Sequence, residues 1–169
     1  MDAKNEMIRK GGTLLDACEV ITVASVDGKG YPRPVPVVKL AAEGCGQIWF
    51  ATGAGSRKTA QFRANPKAGV SFFAGHDSVV LTGFIEEVPD PARRAFWQDW
   101  MLEHFPLGAD DPEYCLLKFT AQCGTFWIGG EFVTPCCRLP DILHHLFSSS
   151  VRDLWQSGGS GSWCRVHGS

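Results

Sequence analysis

Alternation of apolar and polar positions dominates the chain from about residue 19 to residue 130 and predicts strands. EVITVASV (19–26) is rich in β-branched residues, and DGKG (27–30) after it is a strong hairpin turn. YPRPVPVVKL (31–40) is extended, but its three prolines cannot donate ladder hydrogen bonds, which suits an edge or bulged strand. AAEGCG turns the chain into QIWFAT (47–52), the third strand. VSFFAG (70–75) and the long SVVLTGFIEEV (78–88) follow, and CLLKFTAQCGTFWIGG (115–130) carries the last strand.

Helical spacing is rarer. Residues 3–17 place Met7, Ile8, Leu14 and Leu15 on one side of a helix that Gly11-Gly12 interrupts. SRKTAQFRA (56–64) reads as a short helix stopped by Asn65-Pro66. Asp90-Pro91 reads as another helix start, with Asp as N-cap, Pro at the first helical position, and Phe96, Trp97, Trp100 and Met101 on one apolar face. FPLGADDPEY (105–114) is a loop, in which Asp110-Asp111 suit a cap or a backbone nest. Beyond Pro140 the pattern changes: DILHHLF and SVRDLW suit short helices, and SGGSGSWCRVHGS is rich in Gly and Ser. Five or six strands joined mainly by short turns predict a mainly β fold, an antiparallel sheet closing into a barrel with flanking helices. The expected division is a barrel domain over residues 1–137 and an extension over 138–169.

A length of 169 residues suits one domain, and 44% hydrophobic with 20% charged residues is ordinary for a globular protein. A formal net charge of −2 gives no global attraction to nucleic acid or anionic membrane, so any anion must be held by a local cluster. No window has the apolar length of a membrane span, and MDAKNEMIRK lacks an apolar signal core, so a cytoplasmic location is expected. Seven cysteines, an odd number without a C-x-x-C spacing, suit buried thiols in a reducing compartment better than a disulfide framework. Cys136-Cys137 with His144-His145 lacks the spacings of a tetrahedral site, so no metal is expected.

One local cluster stands out. At Ser56-Arg57-Lys58 a small-residue turn delivers a hydroxyl and two cations to the start of a helix. Helix N-termini carry unpaired N–H groups and partial positive charge, so this end can seat a phosphate dianion. The plainer alternative is a Ser N-cap followed by two solvated cations. Thr52 adds a second hydroxyl, Gly53 and Gly55 allow close backbone approach, and Arg33 on a neighbouring strand could add a guanidinium fork. His76 and Asp77 fall in a turn beside Ser78, where solvation explains them better than approach to a ligand does.

The order of Phe50, Thr52, Ser56, Arg57, Lys58, Gln61, Asn65 and Pro66 resembles the pyridoxamine phosphate oxidase superfamily of FMN-binding split β-barrels. Gly30, Pro32 and Pro36, then LTGFIEEV (81–88) and TFWIGG (125–130), extend the resemblance, and FPLGADDPEYCLLKF (105–119) is similar to the general-stress-protein branch. The resemblance implies a six-stranded antiparallel split barrel, FMN as cofactor, and a homodimer with FMN at the subunit interface. It implies that Arg57 and Lys58 bind the FMN phosphate with Ser56 and Thr52 as hydroxyl donors. It further implies that Arg33, Pro34, Val35 and Pro36, with Ala51, line the flavin, that Ser78 offers it a polar contact, and that Trp127 flanks it from the partner subunit. For Trp127 a core aromatic at the barrel end is the alternative. In the oxidase proper, Trp-Gln-Gly-Gly is followed by an Arg-x-His pair that grips the substrate. Here Trp127-Ile128-Gly129-Gly130 is followed by Glu131, Phe132, Val133, Thr134 and Pro135, which argues against oxidation of vitamin B6. Trp155-Gln156 and Arg165-Val166-His167 echo that motif only superficially. The implied function is an FMN-dependent oxidoreductase of unidentified substrate. A flavin-sequestering protein without turnover, or a split barrel holding deazaflavin or haem, is the alternative.

Overall fold

The structure is a computed structural model that describes residues 3–134. Its strands are β1 (Val20–Val26), β2 (Pro32–Glu43), β3 (Gln47–Gly53), β4 (Lys67–Ala74), β5 (Asp77–Glu87), β6 (Tyr114–Ile128) and β7 (Glu131–Val133). They form one sheet in the order β3-β2-β1-β4-β5-β6-β7, and β3 also pairs with β6. Every pairing is antiparallel, so six strands close into the expected barrel and β7 extends it. Inward positions of successive strands, among them Val23, Ile48, Phe50, Leu81, Leu117, Phe119 and Phe126, fill the interior. Alternation thus becomes burial, as in β5, where Val79, Leu81, Gly83 and Ile85 face in.

Helix α1 (Ala3–Ala17) runs unbroken through Gly11-Gly12. Both glycines are buried, and a Cβ on Gly11 would lie 2.6 Å from Cε1 of Phe126. The glycines therefore let the helix lie close on the barrel instead of ending it. The prolines of β2 have a related logic. Residues 32–38 pair with β1, and β3 joins only from Lys39, with a register shift between Lys39 and Ala41. Successive residues donate to opposite flanks, so Pro32, Pro34 and Pro36 lose donors on one flank only, the open one.

The helix expected after Asp90-Pro91 is replaced by two 3-10 turns, Ala92–Phe96 and Asp99–Glu103, with extended backbone at Trp97 and Gln98. Asp90 does not cap; its carboxylate pairs with Arg93 at 2.7 Å. An α-helix would turn Trp97 about 100° away from Phe96. The break lets Phe96 stack on Trp49 (5.5 Å) while Trp97 meets Tyr114 edge-on (5.3 Å), over the fully buried Met101. Tertiary packing of these four aromatics outweighs the local helix signal. Strand β7 follows a Gly129-Gly130 turn with φ of 63° and 79°, which glycine adopts without strain. No described helix is long and apolar enough to cross a membrane. The helices expected at 141–147 and 150–155, the Gly/Ser-rich stretch and the Cys136, Cys137, His144 and His145 cluster lie outside the described residues.

Candidate functional site

The barrel is open along one seam. β2 pairs with β3 only from Lys39 to Glu43, and β3 beyond Phe50 runs against β6 alone. Pro32–Val38 on one side and Ala51–Gly53 on the other therefore present unpaired flanks to the same opening. The chain leaves β3 there, turns at Gly53–Ser56, and starts α2 (Arg57–Ala64). Arg33, Pro34, Val35, Pro36, Ala51, Thr52, Ser56, Arg57 and Lys58 all belong to segments bordering this opening.

Ser56 is the N-cap of α2, and its Oγ accepts from the backbone N–H of Thr59 at 3.3 Å. Each hydroxyl in the chain around it has one proton to donate, which fixes the direction of every bond. Thr59 Oγ1 donates to the Gly53 carbonyl (2.9 Å), which uses its single proton. Ser56 must then donate to Thr59 Oγ1 (2.9 Å), and Thr52 to Ser56 Oγ (3.3 Å). Thr52 and Thr59 are buried. Both hydroxyls assigned to phosphate contact thus have their protons committed to shaping the turn. What remains for an anion is the backbone N–H groups of Arg57 and Lys58, unpaired at a helix start, and the two cationic side chains.

Those cations are uncompensated. Among the described residues Arg57 and Lys58 have no hydrogen-bonded or ion-paired side-chain partner, and Lys58 is half-buried. Burial alone holds the Lys58 ammonium below the ordinary lysine range. Arg33 differs, because its guanidinium is engaged by Asp27 Oδ2 (Nε at 2.8 Å) within the β1–β2 hairpin. The N–H of Tyr31, then Arg33 itself, hold the Asp27 carboxyl below its usual range.

Sequence reasoning missed two roles. Gln61 accepts a 2.6 Å hydrogen bond from the buried hydroxyl of Ser25, tying α2 to β1. Its place in the ordered motif was the available signal. Glu113 accepts the Gly55 N–H at Oε2 (3.2 Å), and its carbonyl accepts the Ala54 N–H (2.8 Å). Behind the turn lies a cleft of about 260 Å³ lined by Arg63, Glu87, Arg93 and Cys115, among others. Its charges are paired, Arg63 with Glu87 (2.5 Å) and Arg93 with Asp90, and burial pushes the Cys115 thiol up to about 11, so it is not a thiolate at neutral pH.

Ser78 and Trp127 are register partners on the outer face of β5 and β6. β1 and β4 separate Ser78 from β2, and the end of β3 at the opening pairs with the start of β6, Gly53 with Tyr114, at the opposite end of that strand from Trp127, so within one chain neither borders the opening. Trp127 points outward and lies 6.1 Å from Phe132, which excludes the core-aromatic reading.

Solved structures share this fold. A protein related to general stress protein 26 of B. subtilis, from Clostridium acetobutylicum and of the pyridoxinephosphate oxidase family, is 25% identical. It aligns over 82% of this chain and 98% of its own, with a TM-score of 0.71. A pyridoxamine 5'-phosphate oxidase-related, FMN-binding protein from Nostoc punctiforme PCC 73102 is 20% identical over 73% of this chain and 81% of its own, TM-score 0.57. A heme-binding protein from Mycobacterium smegmatis is 15% identical over 76% of this chain and 57% of its own, TM-score 0.63. The latter two likenesses establish the fold alone. No protein with a curated description matches the sequence significantly. The family model described as pyridoxamine 5'-phosphate oxidase matches residues 10–128, the barrel with its seam, the Gly53–Ser56 turn and the outer-face tryptophan, and the chain therefore belongs to that family.

Proposed function

We propose that this protein binds FMN at the barrel seam, with the phosphate on the α2 N-terminus, and works as an oxidoreductase on a small molecule. The observation that carries the reading is the uncompensated pair Arg57 and Lys58 at a helix start beside an open seam. A dianion there would take the free N–H groups of Arg57 and Lys58 and both side-chain charges. Its charge would also offset the desolvation cost of the Lys58 ammonium. Pro34, Val35, Pro36 and Ala51 give the ring a flat backbone border whose missing proline donors leave no ladder bond to break. Bound FMN would supply hydride or single-electron transfer, while the chain orients it and sets its charge environment.

The same reading makes the protein a homodimer. Trp127 and Ser78 lie away from the seam of their own chain, so a second copy must deliver them to a flavin held there. Haem is less well supported, because it wants an axial ligand. Among the described residues the histidines are His76 and His104, both exposed and outside the segments that border the seam. Four described cysteines are unpaired thiols, which suits a cytoplasmic location.

The test is titration of the purified full chain with FMN and with riboflavin, followed by absorption and fluorescence. FMN uptake is expected. The double variant Arg57→Ala/Lys58→Ala should weaken FMN by about 100-fold while leaving riboflavin nearly unchanged, since charge-assisted bonds to the phosphate alone are lost. Equal losses for both ligands, or no flavin uptake by the wild type, would sink the assignment.

A further inference from the structure

We infer that Glu113 is a specificity-tuning residue of the α2 anion site, its carboxylate opposing a bound phosphate dianion and so lowering the preference for FMN over riboflavin. This rests on the FMN reading above. Glu113 is placed firmly. The buried Asp111 accepts the Leu107 N–H (3.1 Å) and the Glu113 N–H (2.9 Å), and Tyr114 next in sequence is buried among Trp97 and Phe105. From this anchor the Glu113 carboxylate reaches the Gly53–Ser56 turn and takes the Gly55 N–H, a donor that would otherwise be open to an anion. A Cβ at Gly55 would lie 3.4 Å from that carboxylate oxygen, so glycine admits the close approach.

Two roles compete: holding the turn in shape, or placing charge beside it. The turn is also held by Ser56 N–H to the Gly53 carbonyl (3.0 Å), by Thr59 Oγ1 to the same carbonyl (2.9 Å), and by Ala54 N–H to the Glu113 carbonyl (2.8 Å). None of those three uses the Glu113 side chain. The carboxylate bond is thus redundant for shape, and its distinctive contribution is a negative charge two residues before Arg57. No ion pair joins Glu113 to Arg57 or Lys58, so the charge acts on an arriving phosphate through space. For exposed groups near van der Waals range such a charge changes an equilibrium about three-fold, and salt removes the effect.

The test compares wild type, E113Q and E113A as full chains, measuring FMN and riboflavin affinities by flavin fluorescence at low salt and at about 1 M NaCl, where the screening length falls to about 3 Å. Both variants should bind FMN about three-fold tighter at low salt, keep wild-type riboflavin affinity, and lose the gain at high salt. Unchanged or weaker FMN binding by E113Q, with a wild type that still depends on Arg57 and Lys58, overturns the inference and leaves the FMN reading intact. E113A weakening FMN and riboflavin alike would make Glu113 a support of the turn only, which also overturns it. A wild type that takes up no FMN fails the reading itself, and the inference with it.

Discussion

Lys58 is half-buried, has no partner among the described residues, and has its ammonium held below the ordinary lysine range by desolvation. Because the folded value is depressed below 10.5, the charged lysine costs the ligand-free fold stability at lower pH, and that cost disappears as pH rises from the folded value to 10.5. Anion binding runs the other way, since only the ammonium attracts phosphate. FMN affinity should therefore fall on the alkaline side as Lys58 loses its proton, while the phosphate, with a second pKa near 6, stays a dianion. The expected loss is about ten-fold or more, the worth of one charge-assisted hydrogen bond. Lys58→Arg, charged throughout, should flatten that limb in a pH series of FMN titrations, and an unchanged limb would remove Lys58 from the phosphate site. Ser56 and Thr52 carry the opposite lesson. Their type and spacing were legible in the sequence, but the direction of their protons was not, because it is fixed by Thr59 and the Gly53 carbonyl.

Elements were legible where one period ruled. Strand β1 is found where alternation put it because it buries one face against a single interior. Reading failed where neighbours distant in sequence decide the backbone. Residues 92–103 carry a helical apolar spacing, yet Trp49 from β3 and Tyr114 from β6 draw Phe96 and Trp97 into one cluster and split the segment. Gly11 was misread for the same reason: it looked like a helix breaker and is a packing contact. Helix propensity alone says that Gly11→Ala stabilises α1 by about 1 kcal/mol. The new methyl would, however, stand 2.6 Å from the ring of Phe126, itself fully buried, and 3.0 Å from Cys45 Sγ. Neither can retreat in a close-packed interior, and overpacking costs about 1–3 kcal/mol, so the clash should win. Thermal unfolding of Gly11→Ala is expected several degrees below wild type. A variant melting at or above wild type would show that α1 rides more loosely on the barrel than the packing indicates.

At the scale of the molecule, the outer face of the sheet is apolar where a lone barrel would be polar. Phe73 is 73% exposed, Phe132 62%, Val20 53%, Val80 50% and Trp127 45%. Register connects most of them: Phe73 pairs with Ser78, Ser78 with Trp127, Trp127 with Phe132, and Val80 lies one outward step along β5. The sequence contained this face but hid it, because VSFFAG and SVVLTGFIEEV break strict alternation with extra apolar residues that resemble core. A contiguous apolar sheet face of this kind marks an interaction surface in a soluble protein. If a second copy covers it, dimer and cofactor are coupled: Trp127 leaves the seam of the partner when the copies part. Phe73→Glu with Val80→Glu would bury two like charges at such an interface and should give monomers in sedimentation velocity while the barrel still melts cooperatively. Those monomers should lose affinity for FMN and riboflavin alike, because the ring contacts go and the phosphate turn stays. Arg57→Ala/Lys58→Ala should show the reverse pattern, an intact dimer with FMN alone weakened. A monomeric Phe73→Glu/Val80→Glu variant that binds riboflavin as tightly as wild type would break the coupling and assign the flavin to one chain.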